Sequence, residues 1–352
     1  MKRKIALTIY IVRFLVIITV CGVMTFFGTH KAIGNEEEAD MSGINYLNAT
    51  EKFDNWASLN FGFRNRLIGL NNRISMNVFG QSGEKSVIVG EDGWLFYESA
   101  LHDYTGEAVL SDEDIAELAK LITEASEAVT RQGAVAVWVI APNKMEIYGE
   151  KMPYYLIENT ADGNYEKLMK ALSGTDVNYV DLKKTLTDSR NSFSEPLYHK
   201  LDSHWNNIGA GIAYEAVMDS IGLSHTEYSD AGYTMRNNFS GDLYAMLFAD
   251  GREKDMQAYY DIMPEFLYTS NYRGDDDILI TTSCDTGEGK LLMFRDSFGN
   301  ALHSFFAADF SEAEFRRSIP YDISDIKGAD VVVFEIVERN IPNLIKYPPI
   351  LP

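Results

Sequence analysis

The 352-residue chain is poor in cysteine, with two residues, Cys21 and Cys284. Cys21 lies in an apolar N-terminal run, so Cys284 stands alone in the remainder. That excludes an intramolecular disulfide there, and it excludes a CxxC or paired-cysteine metal site. An exported protein of this size has enough core to do without disulfides. Histidine is also scarce, with six residues and no HExxH. Basic charge is in deficit. Lys and Arg number 31 against 52 Asp and Glu, a net charge of −21. Such a surface repels nucleic acid and anionic headgroups, so polyanion binding is not the main task, although a local basic patch remains allowed. No internal repeat or low-complexity tract occurs. Hydrophobic content of 46% and charged content of 24% are ordinary for a folded protein.

One long apolar run is present, from Ile5 to Phe27, broken only by Arg13. A bilayer core needs about 20 apolar residues, and the run reaches that length if Arg13 snorkels to the headgroups. Lys2, Arg3 and Lys4 precede it; Glu36, Glu37, Glu38 and Asp40 follow. The positive-inside rule then leaves the C-terminal portion extracytoplasmic. The rival reading is a cleaved signal peptide with its apolar region at 14–27 and a secreted product. No small-x-small cleavage site precedes the acidic stretch, which favours a membrane anchor over residues 1–28. Val20 is a poor fit before a lipoprotein cysteine. Residues 29–45 read as an acidic linker.

Residues 46–85 carry Phe53, Trp56, Leu59, Phe63, Leu67, Leu70, Ile74 and Val78 at spacings of mostly three and four. This predicts one or two helices whose apolar side packs on the domain. In SVIVGEDGWLFYES, Glu91-Asp92-Gly93 predicts a hairpin turn. Ser111 with Asp114 forms a variant capping box before a helical stripe that ends at Gly133. AVAVWVIAPNK then reads as a strand buried on both faces, as in parallel sheets. The alternation recurs with a helix near 162–173 before VNYVDL and a helix near 206–221. KLLMFRDSFGN and ADVVVFEIVERN each read as a strand running into a helix. The pattern predicts an α/β fold with a largely parallel sheet. Residues 223–277 are less regular and read as a lid or an insertion.

Sites in such sheets form beyond the carboxyl ends of the strands. Those ends carry Asn143 and Lys144, Asp296, Ser297 and Phe298, and Glu338 and Arg339. Ser297 precedes a predicted helix, whose N-terminal N–H groups favour developing negative charge. A serine needs a base. His204, with Asp202 to orient it, is the candidate, because residues i and i+2 of an extended segment point the same way. Ser297 as a helix N-cap is the structural alternative. His199, Asp202 and His204 together could also hold a metal, but no second ligand cluster accompanies them. Trp205 reads as packing or as a sugar-stacking platform. Lys144 and Arg339 read either as solvated charges or as site groups.

GEDGWLFYES, the strand ending APNK with Tyr148 beyond it, DSHWNNIGA, FRDSFGN and FEIVERNI follow in an order that resembles the DHHW-type and alginate O-acetylation proteins, a branch of the SGNH hydrolase-like superfamily. The resemblance covers most of the chain after about position 50. It implies a three-layer α/β/α domain over 86–346 with a mostly parallel sheet. It also implies a catalytic triad of Asp202, His204 and Ser297, in an order permuted from ordinary SGNH hydrolases. Triads are defined by geometry rather than by order. Oxyanion or substrate candidates are the N–H groups of Ser297, Gly299 and Asn300, with Asn143, Lys144, Tyr148, Trp205, Arg295 and Arg339. The implied reaction is acyl, chiefly acetyl, transfer to a cell-envelope polysaccharide or its hydrolysis, with no cofactor and no metal. The implied donor partner is a multi-pass membrane-bound O-acyltransferase. Ser203 departs from the family pattern, which has His or Thr there; its side chain is expected to point away. No carbohydrate-binding domain is expected after position 340. A non-catalytic glycan-export scaffold and a metal-dependent hydrolase are the competing readings.

Overall fold

The computed structural model describes residues 2–25, 42, 45, 48–159, 161–248, 251–262 and 265–352. The predicted acidic linker, with His30, falls almost wholly outside the described residues. The chain divides into two compact units, one of residues 1–88 with 242–253, the other of 89–241 with 254–352.

In the first unit, α1 (Lys2–Thr25) contains a span, Thr8–Thr25, of mean hydropathy 2.1. It is long and apolar enough to cross a membrane. Helices α2 (Ala49–Asn60) and α3 (Arg64–Phe79) follow, as the spacing predicts. Their tight connection depends on Gly62. A Cβ there would lie 2.3 Å from the Cys21 carbonyl oxygen, and its N–H donates to Thr25 Oγ1 at 3.0 Å. The expected burial of the apolar stripe does not occur. Leu67, Leu70, Ile74 and Val78 are exposed, and α3 instead buries Asn72, whose amide donates to the Leu247 carbonyl.

Strand β1 (Val87–Val89) falls at the boundary in the chain between the units. In the second unit, Gly90 N–H closes onto the Trp94 carbonyl around a single turn at Glu91–Gly93, and β2 (Leu95–Tyr97) follows. The remaining strands are β3 (Val135–Ala141), β4 (Tyr179–Val180), β5 (Tyr233–Phe239), β6 (Asp255–Tyr260), β7 (Leu267–Tyr268), β8 (Leu279–Ser283), β9 (Lys290–Phe294), β10 (Glu312–Arg316) and β11 (Val331–Val337). The main sheet has the order β4-β3-β11-β9-β10-β8-β7. Its first five strands are parallel, and β8 and β7 join antiparallel. The mostly parallel α/β architecture is therefore as the sequence predicts. Residues 223–277 prove more ordered than expected, because β5 and β6 pair antiparallel within them.

The parallel strands are apolar because helices cover both faces. On one face Ala136, Trp138, Ile140, Leu292, Phe294, Val332, Phe334 and Ile336 meet the helix Asp112–Arg131 and the helix Asn164–Leu172. Trp138 stacks on its register partner Phe334 with centroids 4.3 Å apart. Each side chain of this size contributes roughly 1.5–3 kcal/mol when fully buried. Ser111 caps Asp112–Arg131 with the predicted capping box, its Oγ accepting from Asp114 N–H. The opposite face carries the helices Asn207–Ile221 and Gly299–Asp309. That face also holds Glu335, fully buried in the middle of β11.

Candidate active site

The stretch from Leu197 to Asn206 folds back on itself. Tyr198 bridges Trp205 antiparallel, His199 N–H donates to the His204 carbonyl, and Asn206 N–H donates to the Leu197 carbonyl. Asp202 and His204 thus lie in a bent loop, not in the extended segment expected. They still face one another because the Asp202 carboxylate closes a local turn. Its Oδ1 accepts from His204 N–H at 2.8 Å and lies 2.7 Å from His204 Nδ1. A short Asp side chain that bonds the backbone two residues on is the ordinary Asx-turn. Here the same oxygen also holds the imidazole. With Nδ1 on Asp202, Nε2 is left facing Ser297 Oγ at 2.8 Å. Asp202 is buried, and the His204 side chain retains 21% exposure, so the relay runs from the interior to a half-buried serine.

Ser297 is half-buried and is not an N-cap. The helix begins at Gly299 with Phe298 as its cap and no side-chain cap bond. The strand-to-helix turn is held by carboxylates instead. Asp296 Oδ1 accepts from Phe298 N–H at 2.9 Å, and its Oδ2 accepts from Val337 N–H at 2.8 Å. Glu335 Oε2 accepts from Asp296 N–H at 2.9 Å and Gly299 N–H at 3.1 Å. Burial, with the Asp296 charge beside it, pushes the Glu335 carboxyl well above the usual range. Glu335 was not singled out in the sequence. A lone carboxylate inside VVVFEIV was the readable signal, since a charged residue is rarely buried without a partner.

This turn changes the predicted oxyanion donors. Gly299 N–H is committed to Glu335, and Asn300 N–H donates to the Ser297 carbonyl at 3.2 Å. The Ser297 N–H has no such commitment among the described residues. Asn143 N–H goes to Glu338 Oε2 at 2.9 Å; its side chain donates to Asp103 and accepts from Arg339, each at 3.3 Å. The Arg339 guanidinium lies 5.5 Å from the Phe298 ring centroid, beside the nucleophile turn.

The other candidates are structural. Lys144 is neither solvated nor aimed at a substrate space. It is 4% exposed, and its Nζ donates to the carbonyls of Leu95 (2.6 Å), Lys200 (3.0 Å) and Asp202 (2.9 Å). It clamps the loop that carries Asp202. Arg295 is buried and bonds the carbonyls of Asp275 and Asp277, with the side chain of Asn300. Tyr148 hydroxyl accepts from Leu197 N–H at 2.8 Å. Trp205 is packing, not a platform: it is 1% exposed, and its indole N–H donates to the Phe298 carbonyl at 3.0 Å.

His199 does not join His204 in a ligand set. Its ring stacks on Phe239 with centroids 3.8 Å apart, and both ring nitrogens are buried without a hydrogen-bond partner among the described residues. Burial lowers its pKa to about 4, against the pull of Asp202 and Asp255. Ser203 does not point away as expected. It is buried, with Oγ 3.2 Å from His204 Nδ1.

The sequence matches the family described as SGNH hydrolase-like domain, acetyltransferase AlgX, over residues 87–282, more than half of the chain. The match contains Asp202 and His204 and ends before Ser297. A probable alginate O-acetylase AlgJ of Pseudomonas putida is 23% identical over 139 residues, 40% of this chain and 34% of that protein. The chain thus aligns with about a third of that relative's length. Among solved structures, a DHHW family protein from Eubacterium siraeum superposes with a TM-score of 0.55 at 20% identity, covering 76% of this chain and 95% of the other. Bacillus cereus PatB1 superposes with a TM-score of 0.55 at 18% identity, covering 72% and 96%. At these identities the two structures establish the fold.

Proposed function

The chain belongs to the AlgX-type SGNH hydrolase-like acetyltransferase family, and from that premise we propose that it transfers acetyl groups to a polysaccharide with Ser297 as nucleophile. The observation that carries this reading is the unbroken relay Asp202–His204–Ser297, with contacts of 2.7 and 2.8 Å. Such distances are those of a nucleophile within reach of its base and a base held by a third group.

In the first half-reaction, Ser297 Oγ attacks the carbonyl carbon of an acetyl donor while its proton passes to His204 Nε2. Asp202, fixed on Nδ1, holds the productive tautomer and stabilises the imidazolium. The oxyanion develops beside the Ser297 N–H, at the approach to a helix N-terminus whose first N–H groups are already bonded to carboxylates. Arg339, which spends one N–H on Asn143, is the cationic donor of the predicted set left nearest the turn. Collapse of the intermediate expels the donor's alcohol or thiol, protonated by His204, and leaves the acetyl ester on Ser297. In the second half-reaction a sugar hydroxyl gives its proton to His204 and attacks that ester. The new sugar ester departs and Ser297 regains its proton. Water in the acceptor place gives hydrolysis.

The proposal includes location. The apolar helix α1, preceded by Lys2, Arg3 and Lys4, anchors the chain with its catalytic unit outside the cytoplasm. The acetyl donor is supplied at the membrane by a multi-pass O-acyltransferase. The AlgJ relative's name supplies alginate as one instance of the acceptor class, a polysaccharide.

The test uses the full chain in detergent with p-nitrophenyl acetate, followed by intact mass and by release of p-nitrophenol. The wild type is expected to gain an acetyl group. Ser297→Ala is expected to lose the adduct and at least about a thousand-fold in turnover, as removal of a triad nucleophile does. An adduct of equal yield in Ser297→Ala would sink the mechanism.

A further inference from the structure

Helix α3 is inside out. At ~100° per residue, Asn65, Gly69, Asn72 and Met76 form one side, and this is the side that packs on protein. Asn72 Nδ2 donates to the Leu247 carbonyl at 2.7 Å, and a Cβ on Gly69 would touch the Phe248 ring at 3.7 Å. Leu67, Leu70, Ile74 and Val78 fall within an arc of about 80° on the opposite side. They are 41%, 55%, 49% and 66% exposed. A helix of a water-soluble domain has its apolar stripe toward the core and its polar residues outward. Here the order is reversed along that stripe.

Charge supplies a second, independent sign. The helix carries Arg64, Arg66 and Arg73 and no acidic residue, in a chain of net charge −21. Arg64 and Arg66 flank the apolar stripe on its two sides, roughly 80° from its centre. An apolar stripe edged by arginines matches a helix lying in a bilayer interface, where long cationic side chains reach the headgroups. Position supplies a third. The α2–α3 turn sits on the last turns of α1. Gly62 N–H donates to Thr25 Oγ1, and Gly62 packs against the Cys21 carbonyl and the Met24 side chain. Cys21 to Thr25 close the apolar span, so α3 begins at the level where that span leaves the bilayer.

We infer that α3 is a membrane-surface helix that lays Leu67, Leu70, Ile74 and Val78 into the outer leaflet beside the end of α1, with Arg64 and Arg66 on anionic headgroups. This rests on the reading of α1 as a retained membrane span. A second copy of the chain is the competing occupant of the stripe.

The test uses the full-length chain carrying Cys21→Ala and Cys284→Ala. Single cysteines are introduced as Ile74→Cys or Leu70→Cys on the stripe, Ile17→Cys in α1 and Glu127→Cys on an exposed helix of the other unit. Each carries an environment-sensitive fluorophore, in nanodiscs of phosphatidylglycerol and phosphatidylcholine holding one chain per disc. Nitroxide-labelled lipid is expected to quench the probe at 74 or 70 several-fold more than at 127. Replacing the anionic lipid, or introducing Arg64→Gln with Arg66→Gln, is expected to reduce that quenching while leaving position 17 unchanged. Quenching at 17 with a water-like probe at 70 and 74 overturns the surface and leaves the anchor standing. Loss at 17, 70 and 74 together overturns both. Shielding of 74 that appears only with two chains per disc assigns the stripe to a second copy and overturns the lipid assignment.

Discussion

Lys144→Met separates a clamp from a substrate-binding cation. The replacement is close in length and keeps an apolar stem, while the ammonium it removes lies 4.9 Å from the Trp94 ring centroid and 5.1 Å from that of Phe96. It removes an ammonium that donates to three carbonyls at 2.6, 3.0 and 2.9 Å. A hydrogen bond to a charged group contributes about 1.5–3 kcal/mol, and a buried acceptor left unpaired costs about 1–3 kcal/mol. Three such bonds total up to about 9 kcal/mol, and partial relaxation of the loop brings the expected loss to roughly 4 kcal/mol. For a unit of this size each kcal/mol moves the melting temperature by about 2–4 °C, so a fall of about 8–16 °C is expected. Asp202 hangs from the same ammonium through its carbonyl, so esterolysis should fall in kcat with little change in KM. The assay is thermal unfolding of the detergent-solubilised chain, paired with p-nitrophenyl acetate kinetics. A variant that melts with the wild type but loses affinity for substrate would refute the clamp and restore Lys144 as a binding group.

Two pH-linked predictions follow from buried titratable groups. Burial raises the Glu335 carboxyl, so its stabilising proton is fully in place below the ordinary Glu range and is lost as pH rises toward the folded-state value. Glu335→Gln keeps an acceptor for Asp296 N–H and Gly299 N–H; its melting temperature should decline less steeply above about pH 5, and an unchanged slope would contradict a raised Glu335. Burial lowers His199 from 6.5 to about 4, so stability is intact above pH 6.5 and drains as pH falls toward 4. A change of that size is worth about 3 kcal/mol across the window. His199→Phe preserves the ring on Phe239 and should hold its melting temperature better than the wild type between pH 6.5 and 4. Equal acid sensitivity would show that His199 does not set it.

The local elements were written in the sequence because their causes are local. Apolar period, capping residues and Gly stops define Asp112–Arg131, β3, β9 and β11, since helix and strand register depend on neighbours a few residues away. The doubly apolar strands also declared a parallel sheet covered on both faces. Residue chemistry alone nominated Asp202, His204 and Ser297. Their contact is a tertiary fact: His204 and Ser297 are 93 positions apart, and the fold of the main sheet brings them together. Tertiary structure also sorted the remaining candidates. Whether a Lys or Arg past a strand end faces solvent, substrate or three carbonyls depends on which loops cover it, and the sequence around Lys144 and Arg295 does not encode that locally. The same limit applies to α3. Its period announced an amphipathic helix, but a period has no direction, and only the packing of Asn72 and Gly69 decided that the apolar stripe points outward.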